Sequence, residues 1–374
     1  MHMKKTILFC VELCLAMLLP CMSLQAQVVD TPRKYAYIVR YDKSHTLMRQ
    51  GADFNVVDLD IEWPVVIDST QVSALQQQIA STVLMSESTD YDTSVSSFLA
   101  HFGTPVAGKL DSLPDDRHFC YVSASATIKS YSPGKYIVYQ LDRQVAPQSL
   151  SSQPSADNHL LCVFDLHTQK ILHLADLMKT YQLQSSDDSP LITLLTSVLN
   201  DNEYNSLQSV EVLAVWPEDS LVGMRVRYGF DNGGYTSELK MRYDYAKSIL
   251  TKHYRNLLKP AVAHQPAYAT LPNSVGNDTL CYAPDQLPTE KDKDLAKRYM
   301  AAQTISDYHG RGTVLVSYVV DRDGRPTDLA VVNSVSPSAD RWAVSVVRGM
   351  PPLQPATKGG KPVLTRMLRG FRFQ

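Results

Sequence analysis

Asp321-Arg322-Asp323-Gly324 is the segment of this chain whose residue types and spacing most resemble a chemical site. Two carboxylates two residues apart, followed by glycine, could open a calcium loop, form an acid–base pair or close a turn. A calcium loop takes oxygen ligands at alternate positions and ends on a bidentate Glu. Asp321 and Asp323 fit the first two positions, but Gly324 comes too early and no Glu follows. An acid–base pair needs two carboxylates in one cleft with their pKa values driven apart, whereas a short polar turn leaves both in water. A turn needs only Asp and Gly between alternating apolar runs. The flanking runs, GTVLVSYVV and TDLAVVNSV, supply them. The segment therefore predicts a hairpin.

The rest of the chain offers little that points to catalysis. It contains no Gly-x-Ser-x-Gly, no His-Glu-x-x-His and no Gly-rich phosphate loop. Its ten histidines are scattered, and His118 and His309 beside strand patterns read as surface or capping residues. Cys120, Cys162 and Cys281 are spaced too widely for a zinc site. Cys120 and Cys162 read as small apolar residues inside strands, with a disulfide between them as the alternative. Tyr228, Tyr243 and Tyr245 suit core positions with a wet hydroxyl, or a ligand-binding sheet face. No catalytic residue, metal or cofactor is expected, so the chain reads as a non-enzyme. A net charge of −2 over 374 residues gives no electrostatic footprint for nucleic acid.

The first residues address the chain. MHMKK is positive, ILFCVELCLAMLLPCM is apolar, and SLQAQ is small and polar, the layout of a secretory signal cleaved after Ala26. Cys10, Cys14 and Cys21 leave with it. The periplasm is the expected location, with inner-membrane anchoring if residues 1–26 are retained.

Periodicity then divides the chain. FNVVDLDIEWPVVI (54–67) alternates with period two and predicts a strand with one wet face. Ser69-Thr70 is the expected cap of a helix with Val72, Leu75, Ile79 and Val83 on one side, and a short helix is expected over 95–102. Strands are expected at 34–41, 118–130, 135–142 and 209–216, with a polar loop at 144–158. LLCVFDLHTQKILHL reads as strand, turn and short strand, leading into a small helix, and PLITLLTSVLN as a helix. LVGMRVRYGF and YTSELKMRYDY flank Asp231-Asn232-Gly233-Gly234, a hairpin pattern. Prolines 260, 266, 272, 284 and 288 mark a linker. After it the order is helix (290–305), strand (313–320), strand (327–335), a helix capped by Ser336 and stopped by Gly349, and a last strand, KPVLTRMLRGFRF.

The expected fold class is α+β. It comprises a signal segment at 1–26, an antiparallel-sheet domain with helices at 33–256, a proline-containing linker at 257–289, and a small domain at 290–374 with two helices on a three-stranded antiparallel sheet.

Gly312-Thr313-Val314, Val319-Val320-Asp321, Asp323-Gly324, Val331-Val332 and Ser334 resemble the TonB C-terminal domain. The likeness continues through Ala343, Val347, Met350-Pro351, Pro355, Gly360-Lys361-Pro362-Val363, Phe371 and Phe373. It implies an envelope partner whose extended segment adds to the last strand, and possibly coupling to an outer-membrane receptor. The strand edge so implied is Val363, Leu364, Thr365, Arg366, Met367, Leu368, Arg369, Phe371, Arg372 and Phe373. An open edge gives affinity through main-chain bonds, and the same edge can pair within a homodimer. Arg366, Arg369 and Arg372 are expected to keep that edge soluble. The Tyr-Pro pair usual in the family is missing between Glu290 and Gly312, and the linker has no Lys-Pro or Glu-Pro repeats. These departures support a second reading, an envelope sensor or adaptor that reuses the fold without energy transduction. Residues 33–256 more faintly resemble RsiV-like extracytoplasmic domains, through Ile61-Glu62-Trp63-Pro64, Cys162-Val163-Phe164-Asp165-Leu166 and the distal hairpin. That resemblance implies a binding module.

Overall fold

The computed structural model describes residues 24–28, 34–35, 37–67, 70, 72–107, 119–147, 156–187, 189, 191–193, 199, 205–218, 221–230, 233–258, 269–271, 273–305 and 310–373. Its principal elements are strands β1 (Leu24–Val28), β2 (Tyr37–Gln50) and β3 (Asp53–Ile67), helices α1 (Ser73–Val83) and α2 (Tyr91–His101), and strands β4 (Phe119–Ser132), β5 (Tyr136–Pro147) and β6 (Ala156–Asp165). Strands β7 (Leu207–Glu218), β8 (Leu221–Phe230) and β9 (Gly233–Arg242) follow. The chain ends with α3 (Lys293–Ala301), β10 (Gly312–Val320), β11 (Pro326–Asn333), α4 (Pro337–Arg348) and β12 (Thr365–Phe373). The mixture is α+β, as expected, and its sheets are mainly antiparallel.

The chain divides into two compact units. One comprises Met1–Asp42, Val65–Ser69 and Ala267–Gln374, and the other Lys43–Pro64 and Thr70–Pro266. The small unit thus takes strands from both ends of the sequence, and it includes residues 267–289 that the prolines mark as linker.

In the large unit, β4, β5 and β6 form an antiparallel meander, and β7, β8 and β9 form another. One pairing departs from the hairpin expectation: β3 runs parallel to β4, from Phe54↔Phe119 to Ile61↔Ala126. Parallel neighbours need a long crossover, and α1 and α2 lie in it. Leu75, Ile79, Ala80 and Val83 of α1 are buried. Its cap differs from expectation, because Val72 holds the N-cap position without a side-chain bond. The Thr70 hydroxyl instead donates to the Leu166 carbonyl at 3.3 Å. α2 starts four residues before its expected Val95, where the Asp90 carboxylate accepts from the Thr93 amide. The polar 144–158 segment is shorter as a loop than expected, since β5 runs to Pro147 and β6 begins at Ala156. Trp216 anchors the second meander and fits because residue 223 has no side chain; a Cβ there would lie 2.1 Å from the indole. Gly233 sits at φ +118, the left-handed region that the hairpin pattern requires. Asp231 and Asn232, the other residues of that turn, lie outside the described residues.

In the small unit, β10 is the central strand. It pairs with β12 over its whole length, Gly312↔Phe373 to Val320↔Thr365, and with β11 on its other side. α4 covers one face through Ala339, Ala343, Val344, Val346 and Val347. Its ends are the ones read from sequence: Ser336 Oγ accepts from the Ala339 amide, Pro337 opens the first turn and Gly349 is the C-cap. α3 presents no buried residue, and its Tyr299 hydroxyl donates to the Val346 carbonyl at 2.7 Å. The sheet has more than three strands. The Val39–Arg40 part of β2 pairs with Ala330 and Val331 of β11, and β1 pairs with β12.

The opposite face of this sheet is also covered. Ile38, Leu271, Ala330, Val332 and Leu368 form one apolar cluster, and Leu280, Val319 and Leu364 form another. Leu271 and Leu280 come from the proline-rich stretch, where Ser274–Val275 pairs with Asp278–Thr279. The Cys281 amide also donates to the Leu364 carbonyl at 2.8 Å.

Candidate strand-docking edge

The Asp321–Gly324 segment is a turn. The Gly324 amide donates to the Asp321 carbonyl at 3.0 Å, and Asp321 Oδ1 accepts from the amides of Asp323 and Arg325 at 2.9 and 2.8 Å. Those bonds consume the Asp321 carboxylate locally, and Gly324 supplies φ +86. Arg322 forks onto Asp278 at 2.9 and 3.1 Å, which holds the Asp278 carboxyl below the usual carboxylate range. Among the described residues no group of three His, Cys, Asp or Glu side chains could hold a metal ion.

The hairpin positions the last strand. The expected strand is interrupted at Leu364: Lys361–Val363 turns back on Ala356–Lys358, and β12 begins at Thr365. Alternation from there places Met367, Arg369, Phe371 and Phe373 on the α4 face. Trp342 of α4 meets Phe371 and Phe373 edge-on, each at 5.5 Å between ring centroids. Arg369 reaches the Met350 sulfur on the same side. Arg366, Leu368 and Arg372 point to the other face.

The three arginines do not share one role. Arg372 is exposed, as a solubilising residue should be, whereas Arg366 is only 1% exposed. Its Nη2 donates to Asp328 Oδ2 at 2.6 Å and its Nη1 to Ser317 Oγ at 3.1 Å. Asp328 also faces Arg40 Nε at 3.7 Å, so one carboxylate joins cations from β2 and β12. Asp328 occupies φ +45, a region open to Asp and Asn at modest cost. A buried guanidinium must be paired, and the solubility expectation fails for Arg366 because Leu271 and Leu280 roof that face. The periodic sequence gives no sign of the roof.

The outer side of β12 is occupied along part of its length. β1 runs antiparallel to it with Leu24↔Gly370, Gln27↔Leu368 and Val28↔Met367, and the register shifts between Leu24 and Gln27. The sequence reading does not anticipate β1 here, because a segment read as the end of an export signal carries no obvious strand pattern.

In the first turn of α4, the Asp340 carboxylate is buried and accepts from Ser334 Oγ at 2.5 Å and the Val335 amide at 3.2 Å. Burial outweighs these bonds and raises its pKa to about 6.

The large unit contains a polar cleft of about 960 Å³, lined by Asp142, Arg143, His159, Arg225, Arg227 and Glu238 among others. His159 contacts Asp142 directly. Arg225 pairs with Glu238 at 2.9 Å and Arg227 with Glu211 at 2.9 Å, both directly across strands. Burial raises the Glu238 pKa, but Lys129 and Arg225 prevail and hold it below the usual range. A carboxylate tied to two cations is poorly suited to accept a substrate proton. Cys120 and Cys162 both lie in strands as free thiols, and burial pushes Cys162 up to about 12. His118 and His309 lie outside the described residues. Tyr228 is core, while Tyr245 is exposed.

Among the described residues, no helix is long and apolar enough to cross a membrane. Residues 1–23 lie outside the described residues, and with them most of the expected signal. Among curated proteins none matches the chain. Residues 309–374 match the family model described as the C-terminal domain of Gram-negative bacterial TonB proteins, so the segment that builds β10, β11, α4 and β12 is TonB-like.

Proposed function

We propose that this is a non-enzymatic, TonB-like cell-envelope protein. Its C-terminal sheet binds an extended segment of a partner protein along β12, from Thr365 to Phe373. The partner is an envelope protein, and an outer-membrane receptor is the one the family implies. In that case the chain couples to transport and works from the periplasm, exported by residues 1–26 or anchored by them. The observation that carries the reading is β12. It is the last strand of the TonB-like segment, it is fully paired to β10 on one side, and it pairs with an added antiparallel strand on the other. That is the geometry of strand addition, in which main-chain bonds give affinity.

The roofed face favours a second reading, a sensor or adaptor without energy transduction. Leu271 and Leu280 hold the proline-rich stretch against the sheet, whereas a transducer needs a free tether to span the periplasm. Residues 33–256 then act as an RsiV-like binding module, with the polar cleft as its surface.

A photo-crosslinking amino acid at exposed Arg372 tests strand docking in cells. The expected product is an adduct with an extended segment of one envelope protein, while the same probe at exposed Asp323 gives none. Equal adducts at both positions, or none at Arg372, would refute docking. An adduct with an outer-membrane receptor selects the transport reading, and one with a periplasmic or peptidoglycan-bound protein selects the adaptor.

A further inference from the structure

The outer side of β12 carries a strand from its own chain, and that strand straddles the predicted processing point. β1 covers Met367 to Gly370, the middle of the proposed docking edge. Cleavage after Ala26 would remove Leu24, Gln25 and Ala26 and leave only Gln27 and Val28. The segment is uncharged, five residues long, and irregular between its first and last contacts. Such a strand engages the edge by main-chain pairing over only part of its length, so a longer partner strand can displace it. Attachment to the same chain nonetheless gives it a high effective concentration at the edge.

We propose that Leu24–Val28 caps the docking edge of its own chain, and that processing between Ala26 and Gln27 opens it. The inference rests on the docking reading and adds its regulation: the unprocessed chain is closed to partners and the processed chain is open. The partner strand it predicts is antiparallel to β12 and, like LQAQV, free of charge over the covered span.

The test uses two forms of the otherwise complete chain, one starting at Ser23 and one at Gln27. The probe is a fluorescent peptide of residues 23–31. Binding is read by anisotropy, and amide exchange is followed across residues 365–373. The expected result is at least tenfold tighter peptide binding to the Gln27 form. Slower exchange at Met367–Gly370 in the Ser23 form, independent of protein concentration, is expected with it. Gln27→Pro in the Ser23 form removes a backbone donor from the cap without touching β12, and is expected to bind the peptide as the shorter form does. Equal binding to both forms overturns the cap and leaves docking intact. Binding to neither, with β12 protected in neither, overturns both. Protection that grows with concentration assigns β1 to a second copy and overturns capping within one chain.

Discussion

Replacing Arg366 by methionine keeps an unbranched stem of similar reach and removes the guanidinium. Its bonds to Asp328 and Ser317, at 2.6 and 3.1 Å, are then lost. At the effective dielectric of a partly buried pair, the attraction to Asp328 is roughly 4 kcal/mol before desolvation. Relief of the guanidinium's desolvation returns part of that, but Asp328, 14% exposed, keeps Arg40 at 3.7 Å as its remaining cation among the described residues. Breaking a buried pair on one side costs about 3–5 kcal/mol, a large share of the 5–15 kcal/mol typical of a whole domain. Because Arg40 remains, the lower end, about 3 kcal/mol, is expected. Asp328→Asn keeps a residue that tolerates φ +45 and strands the buried guanidinium instead, at a similar cost. The double variant should cost about 2 kcal/mol less than the sum of the singles. Urea-dependent amide exchange of peptides from β10, β11 and β12 reads the small unit separately from the large one. A cost below about 1 kcal/mol for Arg366→Met, or strict additivity of the two changes, would show that the pair is incidental to the sheet.

Two further outcomes follow from the same unit. Asp340 binds its proton more tightly folded than unfolded, so its contribution is fully present below the ordinary carboxylate pKa near 4 and is lost as pH rises through about 6. The two-unit difference corresponds to about 2 kcal/mol less stability at pH 7 than at pH 4 from this group; Asp340→Asn should flatten the dependence of the urea midpoint between those limits, and an unchanged slope would refute the assignment. Gly324→Ala places a Cβ 1.7 Å from the Leu353 carbonyl oxygen at φ +86, so the turn must shift and the unit should lose roughly 2–4 kcal/mol; a thermal midpoint within a degree of the parent would refute that account.

Local chemistry was legible from the residues alone. Asp-Gly between alternating runs gave the 312–333 hairpin. Ser336, Pro337 and Gly349 bounded α4, and the period of Leu75, Ile79 and Val83 gave α1. These features depend on neighbours within a few positions. What could not be read depends on partners far away in sequence. Nothing near Arg366 announces Asp328, because the pair exists only once β10 sets the register between β11 and β12. Leu271 and Leu280 sit among prolines and carry no period, yet each finds an apolar cluster. The parallel pairing of β3 with β4 was missed because Asp58, Asp60 and Glu62 alternate as in a half-wet antiparallel strand. Glu62 is buried instead, accepting from the Ile128 amide at 2.6 Å. Of the proposed docking edge, the strand itself was legible from the family motifs, and the segment lying on it was not.

The small unit draws β1 and the start of β2 from the beginning of the chain and β12 from its end. Synthesis proceeds from the N-terminal side, so β1 and the start of β2 emerge long before β12 and β11, the strands they join. The start of β2 waits for β11, and β1 waits for β12. A chain that stops short of Thr365 therefore leaves Trp342 of α4 without Phe371 and Phe373, and β1 without β12. The sheet closes only when β12 is present, and a chain truncated before Thr365 presents the unpaired edge of β10 to proteases.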